Sequence, residues 1–242
     1  MPACVRHFWL RLLAVTALLY TLMAGAAELL HSYRGEAGLI IAALVLAAAL
    51  TADRLLFSGA FLRSLRELGL HAPACRGLLA AAVISAALIA SLPLAARASG
   101  ATLSLRADWL WLIPGLLAQA GLAEELVFRG FVFGRIRATR AFWRAVLLSI
   151  GPFALVHMAL FFSMPPAIAA ASLMLSIVTC APLAQLYELG GRTIWPAALV
   201  HATVQGAIKL VDIEGGQLLP LIWIGACAIL PWAAFLWRRA EP

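Results

Sequence analysis

The sequence predicts an all-α, polytopic integral membrane protein, and three observations carry that prediction. Of the 242 residues, 64% are hydrophobic and 12% charged, and the mean hydropathy is +0.98. Soluble domains run nearer half apolar and a quarter charged. The apolar residues also gather into runs of about 20, the length at which a helix crosses a bilayer core. The basic residues, finally, fall between those runs and crowd one set of ends, the positive-inside pattern. The net charge of +7 therefore reports topology. It does not point to nucleic acid, because the arginines lie in short loops rather than on one face.

About eight spans are expected, at residues 8–30, 39–57, 77–96, 109–133, 142–162, 167–187, 194–210 and 218–237. The first follows Arg6 and Arg11 and ends near Ala24-Gly25-Ala26, which also fits a cleavable signal peptide. An uncleaved first span is the expectation. The stretch 58–76 sets Phe61, Leu62, Leu65, Leu68 and Leu70 among arginines, as an interfacial helix or a solvated loop would. The seventh span is short and reads as tilted or partly embedded. Trp9, Trp109, Trp111, Trp143, Trp195 and Trp237 sit near span ends, as an aromatic belt requires.

One set of ends carries Arg6, Arg11, Arg54, Arg63, Arg66, Arg76, Arg135, Arg137, Arg140, Arg144, Arg192, Arg238 and Arg239. The other carries only Arg34, Arg97, Arg106 and Lys209. Both termini are then cytoplasmic, and the expected location is the bacterial plasma (inner) membrane. Cys4, Cys75, Cys180 and Cys227 are far apart, without CxxC spacing, and read as small apolar fillers.

Chemistry concentrates in the fourth span, at Glu124-Glu125-Leu126-Val127-Phe128-Arg129. Charges at mid-membrane depth cost a few kcal/mol each at the low end, and mark function when partners can be named. Residues four apart share a helix face, so Glu125 and Arg129 form a structural pair. Glu124 is rotated from Glu125 by about 100° and is left as the free carboxylate, suited to general acid–base work. Two later spans offer His157, one turn beyond Phe153, and His201, on one face with Gln205. At 1.5 Å rise per residue, Glu124 lies roughly 14 Å, His201 roughly 10 Å and His157 roughly 18–22 Å from the cytoplasmic ends of their helices.

If these groups meet, they form a hydrolytic site. Glu124 and His157 hold and deprotonate a water, and His201 and Gln205 donate to a developing oxyanion. Glu124, His157 and His201 are also a ligand set for a divalent metal such as zinc, although no HExxH signature is present. The preferred reading requires no cofactor. Glu28 and Glu188, near span ends, read as interfacial.

At these residues the chain resembles the CPBP family of intramembrane proteases, also called the Abi or type II CAAX-processing endopeptidase family. The family pattern is Glu-Glu-x-x-x-Arg, Phe-x-x-x-His, then His-x-x-x-Asn or Asp. Here it runs Glu124-Glu125…Arg129, Phe153…His157 and His201…Gln205, with Phe128-Arg129-Gly130 and Ile194-Trp195-Pro196-Ala197 as context. The resemblance covers about 109–210, read as the catalytic core of a single transmembrane domain, 1–242; residues 1–107 add spans of low specificity. It implies peptide-bond hydrolysis inside the membrane. Glu124 and His157 would activate water, His201 and Gln205 would form the oxyanion hole, and Glu125 and Arg129 would support them. The implied partners are a membrane-embedded or membrane-associated peptide and the bilayer, with no nucleic acid. The departure is Gln205, one methylene longer than the family's Asn. The alternative readings are a non-proteolytic scaffold or bacteriocin-immunity-type protein on the same fold, and a proton-coupled carrier; no inverted repeat favours the carrier.

Overall fold

The computed structural model of the chain describes residues 3–31, 35–58 and 60–237. Arg34, Arg238 and Arg239, which entered the charge asymmetry, lie outside the described residues, as do the side chains of Cys4 and Arg6. The helices are α1 (Ala3–Leu29), α2 (Gly35–Asp53), α3 (Phe61–Glu67), α4 (Cys75–Ser99), α5 (Trp109–Leu116), α6 (Gly134–Arg137), α7 (Phe142–Met158), α8 (Pro166–Leu189), α9 (Trp195–Gly206) and α10 (Leu219–Ile229). α5 and α6 are the ends of one long helix, Trp109–Arg137.

The protein is an all-α polytopic membrane protein; among the described residues, seven helices are long and apolar enough to cross a bilayer. The segment expected at 194–210 differs. It is the 12-residue α9 followed by a 3₁₀ turn, Ala207–Leu210, roughly 26 Å of rise in all. It still runs from one end of the bundle to the other. At its start the Ile194 amide donates to the Gly69 carbonyl (3.0 Å), beside α3. Its far end feeds strand β2 (Val211–Glu214), which pairs antiparallel with β1 (Thr102–Leu105), placing Leu105 opposite Val211. Packed between α4, α8 and the long helix, α9 need not match the lipid thickness, which is why it can be short.

The β1–β2 ribbon was not expected. Arg106 fastens its end, donating from Nε to Asp108 (3.0 Å) and lying 3.6 Å from Asp212. The hydrogen bond to Asp108 raises the Arg106 pKa above its ordinary value. The 58–76 stretch contains α3 and is pinned in place: Leu68 is fully buried, and the Trp195 indole donates to the His71 carbonyl (3.0 Å).

Lipid supplies no hydrophobic drive between spans, so helices associate through close packing, helped by small residues. α8 is the hub. Ala184 and Tyr187 join the apolar cluster built on α1, α2, α7 and the long helix. Leu183 and Leu186 join the second, with α4, α9 and α10. α2 crosses the long helix at Gly38 and Gly115, where a methyl group on Gly38 would collide with the Gly115 backbone.

Candidate active site

The long helix Trp109–Arg137 is not the straight α-helix the spacing predicts. After Pro114, which lacks the N–H an α-helix needs, hydrogen bonding shifts to the wider i→i+5 pattern at Leu117–Ala123 and again at Leu126–Phe133. Glu124 and Glu125 sit between the two stretches. Such turns are rare and gather at functional sites. The expected pair survives the widening: Arg129 Nη1 donates to Glu125 Oε1 at 2.9 Å, with both side chains buried.

Close packing brings α9 to this helix. A Cβ on Gly121 would stand 3.0 Å from the Ala198 carbonyl and 3.4 Å from the Ala202 methyl, so only a glycine fits without displacing α9. One turn on from that contact, the facing side chains interlock. His201 Nδ1 lies 2.5 Å from Glu125 Oε1 and donates to it, because the carboxylate has no proton to give. His201 Nε2 then carries the lone pair and accepts from the Gln205 amide at 2.8 Å. The same Gln205 nitrogen lies 3.2 and 3.1 Å from the two oxygens of Glu124, and His201 Nε2 is 3.6 Å from Glu124 Oε2.

Glu124 is therefore not without a partner, as the helix face alone implied. The extra methylene of Gln205 carries its amide across to the carboxylate. That partner is neutral, however. Arg129 is committed to Glu125, and the Glu124 side chain is 13% exposed. Two carboxylates and one guanidinium leave one carboxylate uncompensated.

His157 approaches from α7. Its Nδ1 donates to the Phe153 carbonyl at 2.9 Å, which leaves the Nε2 lone pair free in the neutral ring. It is within electrostatic reach of Glu124, His201 and Arg129. The Phe153 ring stands edge-on to His157, at 4.8 Å between centroids, and takes the Arg129 guanidinium on its face at 4.6 Å. The Phe-x-x-x-His spacing thus serves two purposes, fixing the imidazole tautomer and supporting Arg129.

Tyr20 was missed from the sequence. Its hydroxyl donates to the Val156 carbonyl at 2.9 Å, and it lies within electrostatic reach of Glu124. Val156 is in the last turn of α7, where carbonyls lose their intrahelical partners, so Tyr20 caps the helix end that carries His157. Nothing in the sequence around Tyr20 marks it. Glu28 is exposed, and Glu188 pairs with Arg137 at 3.0 Å.

Residues 106–207 match the family model described as type II CAAX prenyl endopeptidase Rce1-like. They form an Rce1-like domain of the CAAX protease family. No curated protein and no solved structure matches the chain. The Rce1-like span overlaps the expected core, 109–210, and contains Glu124, Glu125, Arg129, His157, His201 and Gln205. Tyr20 reaches the Rce1-like domain from outside it. Among the described residues, no three His, Cys, Asp or Glu side chains gather closely enough to hold a metal ion. Both His201 ring nitrogens are already engaged, so Glu124, His157 and His201 as arranged do not fit a three-ligand metal seat.

Proposed function

We propose that this protein is an intramembrane endopeptidase in which Glu124 activates the water that cleaves a peptide bond of a membrane-embedded or membrane-associated substrate. The observation that carries the reading is the surplus carboxylate. Glu124, 13% exposed, lies beside His201 and Gln205 with no cation of its own, and a carboxylate so placed is available as a general base. His157 Nε2 accepts one hydrogen of the water. Glu124 takes the other as the oxygen attacks the carbonyl carbon, then returns that proton to the leaving amine. The developing oxyanion draws the Gln205 hydrogens away from Glu124, and His201, hydrogen-bonded to Glu125 and to Gln205, positions that amide. Water activation in this reading needs no metal. The 58–76 end faces the cytoplasm of a bacterial cell, following the charge asymmetry.

One observation favours the alternative, a non-proteolytic protein of the same fold: the Gln205 amide is fully occupied by Glu124 and His201. A cleavage assay separates the two. With a candidate membrane peptide in vesicles, Glu124→Ala, His157→Ala and His201→Ala each abolish cleavage at normal expression if the protease reading holds. Full cleavage in all three sinks it.

A further inference from the structure

A cavity of about 350 Å³ lies behind α9, at the β1–β2 end of the bundle. Its walls include Ile89 and Pro93 of α4, Leu103 of β1, Ile113 of α5, and Thr203 and Ala207 on the α9 side. Three of the elements around it interrupt the regular α-helical hydrogen-bond ladder. Pro93 cannot donate to the Ile89 carbonyl, and its ring crowds that carbonyl. Pro114 precedes the i→i+5 stretch of the long helix. Gly206 ends α9, and the chain continues as a 3₁₀ turn. Three poorly matched surfaces do not close on one another.

The lining admits only hydrocarbon. Thr203 is its one polar side chain, and the Thr203 hydroxyl already donates to the Leu199 carbonyl at 2.8 Å. Nothing remains to bind a charge or a hydrogen-bonding group. The volume falls at the lower end of the range for small-molecule sites. The cavity is also continuous with the lipid-facing surface, since its wall residues Ile89, Leu105 and Leu117 are 57%, 62% and 45% exposed. It is separate from the active site. At about 100° per residue, Ala202, Thr203, Gly206 and Ala207 share the α9 face opposite His201 and Gln205.

We infer that this cavity is a binding site for one acyl chain of a bilayer lipid, which enters between α4 and the long helix and packs behind α9. An open space of this size deprives its lining of contact partners, and acyl chains are the apolar molecules always present at that depth. The inference does not rest on the proteolytic reading.

The test is photolabelling of the full chain in phosphatidylcholine vesicles whose lipid carries a diazirine near the end of one acyl chain, with adducts mapped by mass spectrometry. The expected result is adducts on Leu103, Ile113 and Ala207. Ala207→Phe, which fills the space, removes them and leaves labelling at the outward Leu147 and Leu155 of α7 unchanged. If that variant does not fold, Leu103→Trp fills the cavity from the opposite wall. Adducts confined to outward residues such as Leu147 and Leu155 would overturn the inference. So would displacement of the cavity adducts by a substrate peptide bearing a long apolar side chain or a lipid modification, which would assign the space to the substrate. The readout is labelling, so loss of cleavage activity leaves the result interpretable.

Discussion

The long helix Trp109–Arg137 carries two charged clusters about one and a half turns apart, and they are built on opposite principles. At its end, Arg135 pairs with the fully buried Asp53, lies 3.9 Å from Glu67, and is sandwiched between the rings of Phe57 and Phe131, at 3.9 and 4.8 Å from their centroids. Two carboxylates and two rings surround the cation, and the cluster ties the helix to α2 and α3. At mid-helix, Arg129 meets two neighbouring carboxylates and neutralises only Glu125. The other, Glu124, is held by the neutral Gln205 amide, a group that can release it. Charges that close on themselves hold a fold; a charge left over beside neutral donors can do chemistry.

The comparison breaks first at His157. Its replacement by glutamine removes the free Nε2 acceptor while keeping a polar side chain. Cleavage should fall by about 10²–10⁴-fold with an unchanged melting temperature. A comparable fall in the melting temperature would move His157 into the structural class.

The brace should fail the other way. Asp53→Asn strands Arg135 in a buried site, and breaking such a pair costs about 3–5 kcal/mol. Unfolding in detergent should shift accordingly, while cleavage per folded molecule stays near wild type. Selective loss of cleavage would mean that the brace takes part in the reaction.

Much of this architecture is legible in the sequence, for identifiable reasons. Long apolar runs and arginine placement announce the spans, and costly intramembrane charges announce Glu124, Glu125 and Arg129. What is hidden depends on contacts between segments far apart in the chain. The β1–β2 ribbon pairs residues more than a hundred positions apart. Tyr20 acts through a carbonyl of α7, which no local pattern records. For His201, Gln205 and Glu124, a helix face shows only which residues are neighbours along one helix. It does not show that Gln205 reaches across to Glu124, or that His201 turns Nδ1 to Glu125.

Two smaller effects sharpen the comparison. Gln205→Asn shortens the side chain by one methylene and withdraws the amide from Glu124. A hydrogen bond to a charged group is worth about 1.5–3 kcal/mol, so freeing the carboxylate should leave cleavage equal to wild type or up to about tenfold higher. A dead variant would show that the Gln205 contact is required. Tyr20→Phe removes one hydrogen bond, about 1 kcal/mol, and should lower kcat about fivefold with KM unchanged, since it loosens His157 without touching substrate. An equal change in KM would assign Tyr20 to substrate binding instead.

The most direct measurement is cleavage per folded molecule for Glu124→Gln beside Asp53→Asn, in the same vesicles with the same membrane peptide. The account predicts that Glu124→Gln is stably folded and inactive, and that Asp53→Asn is less stable but active. An active Glu124→Gln protein would contradict it.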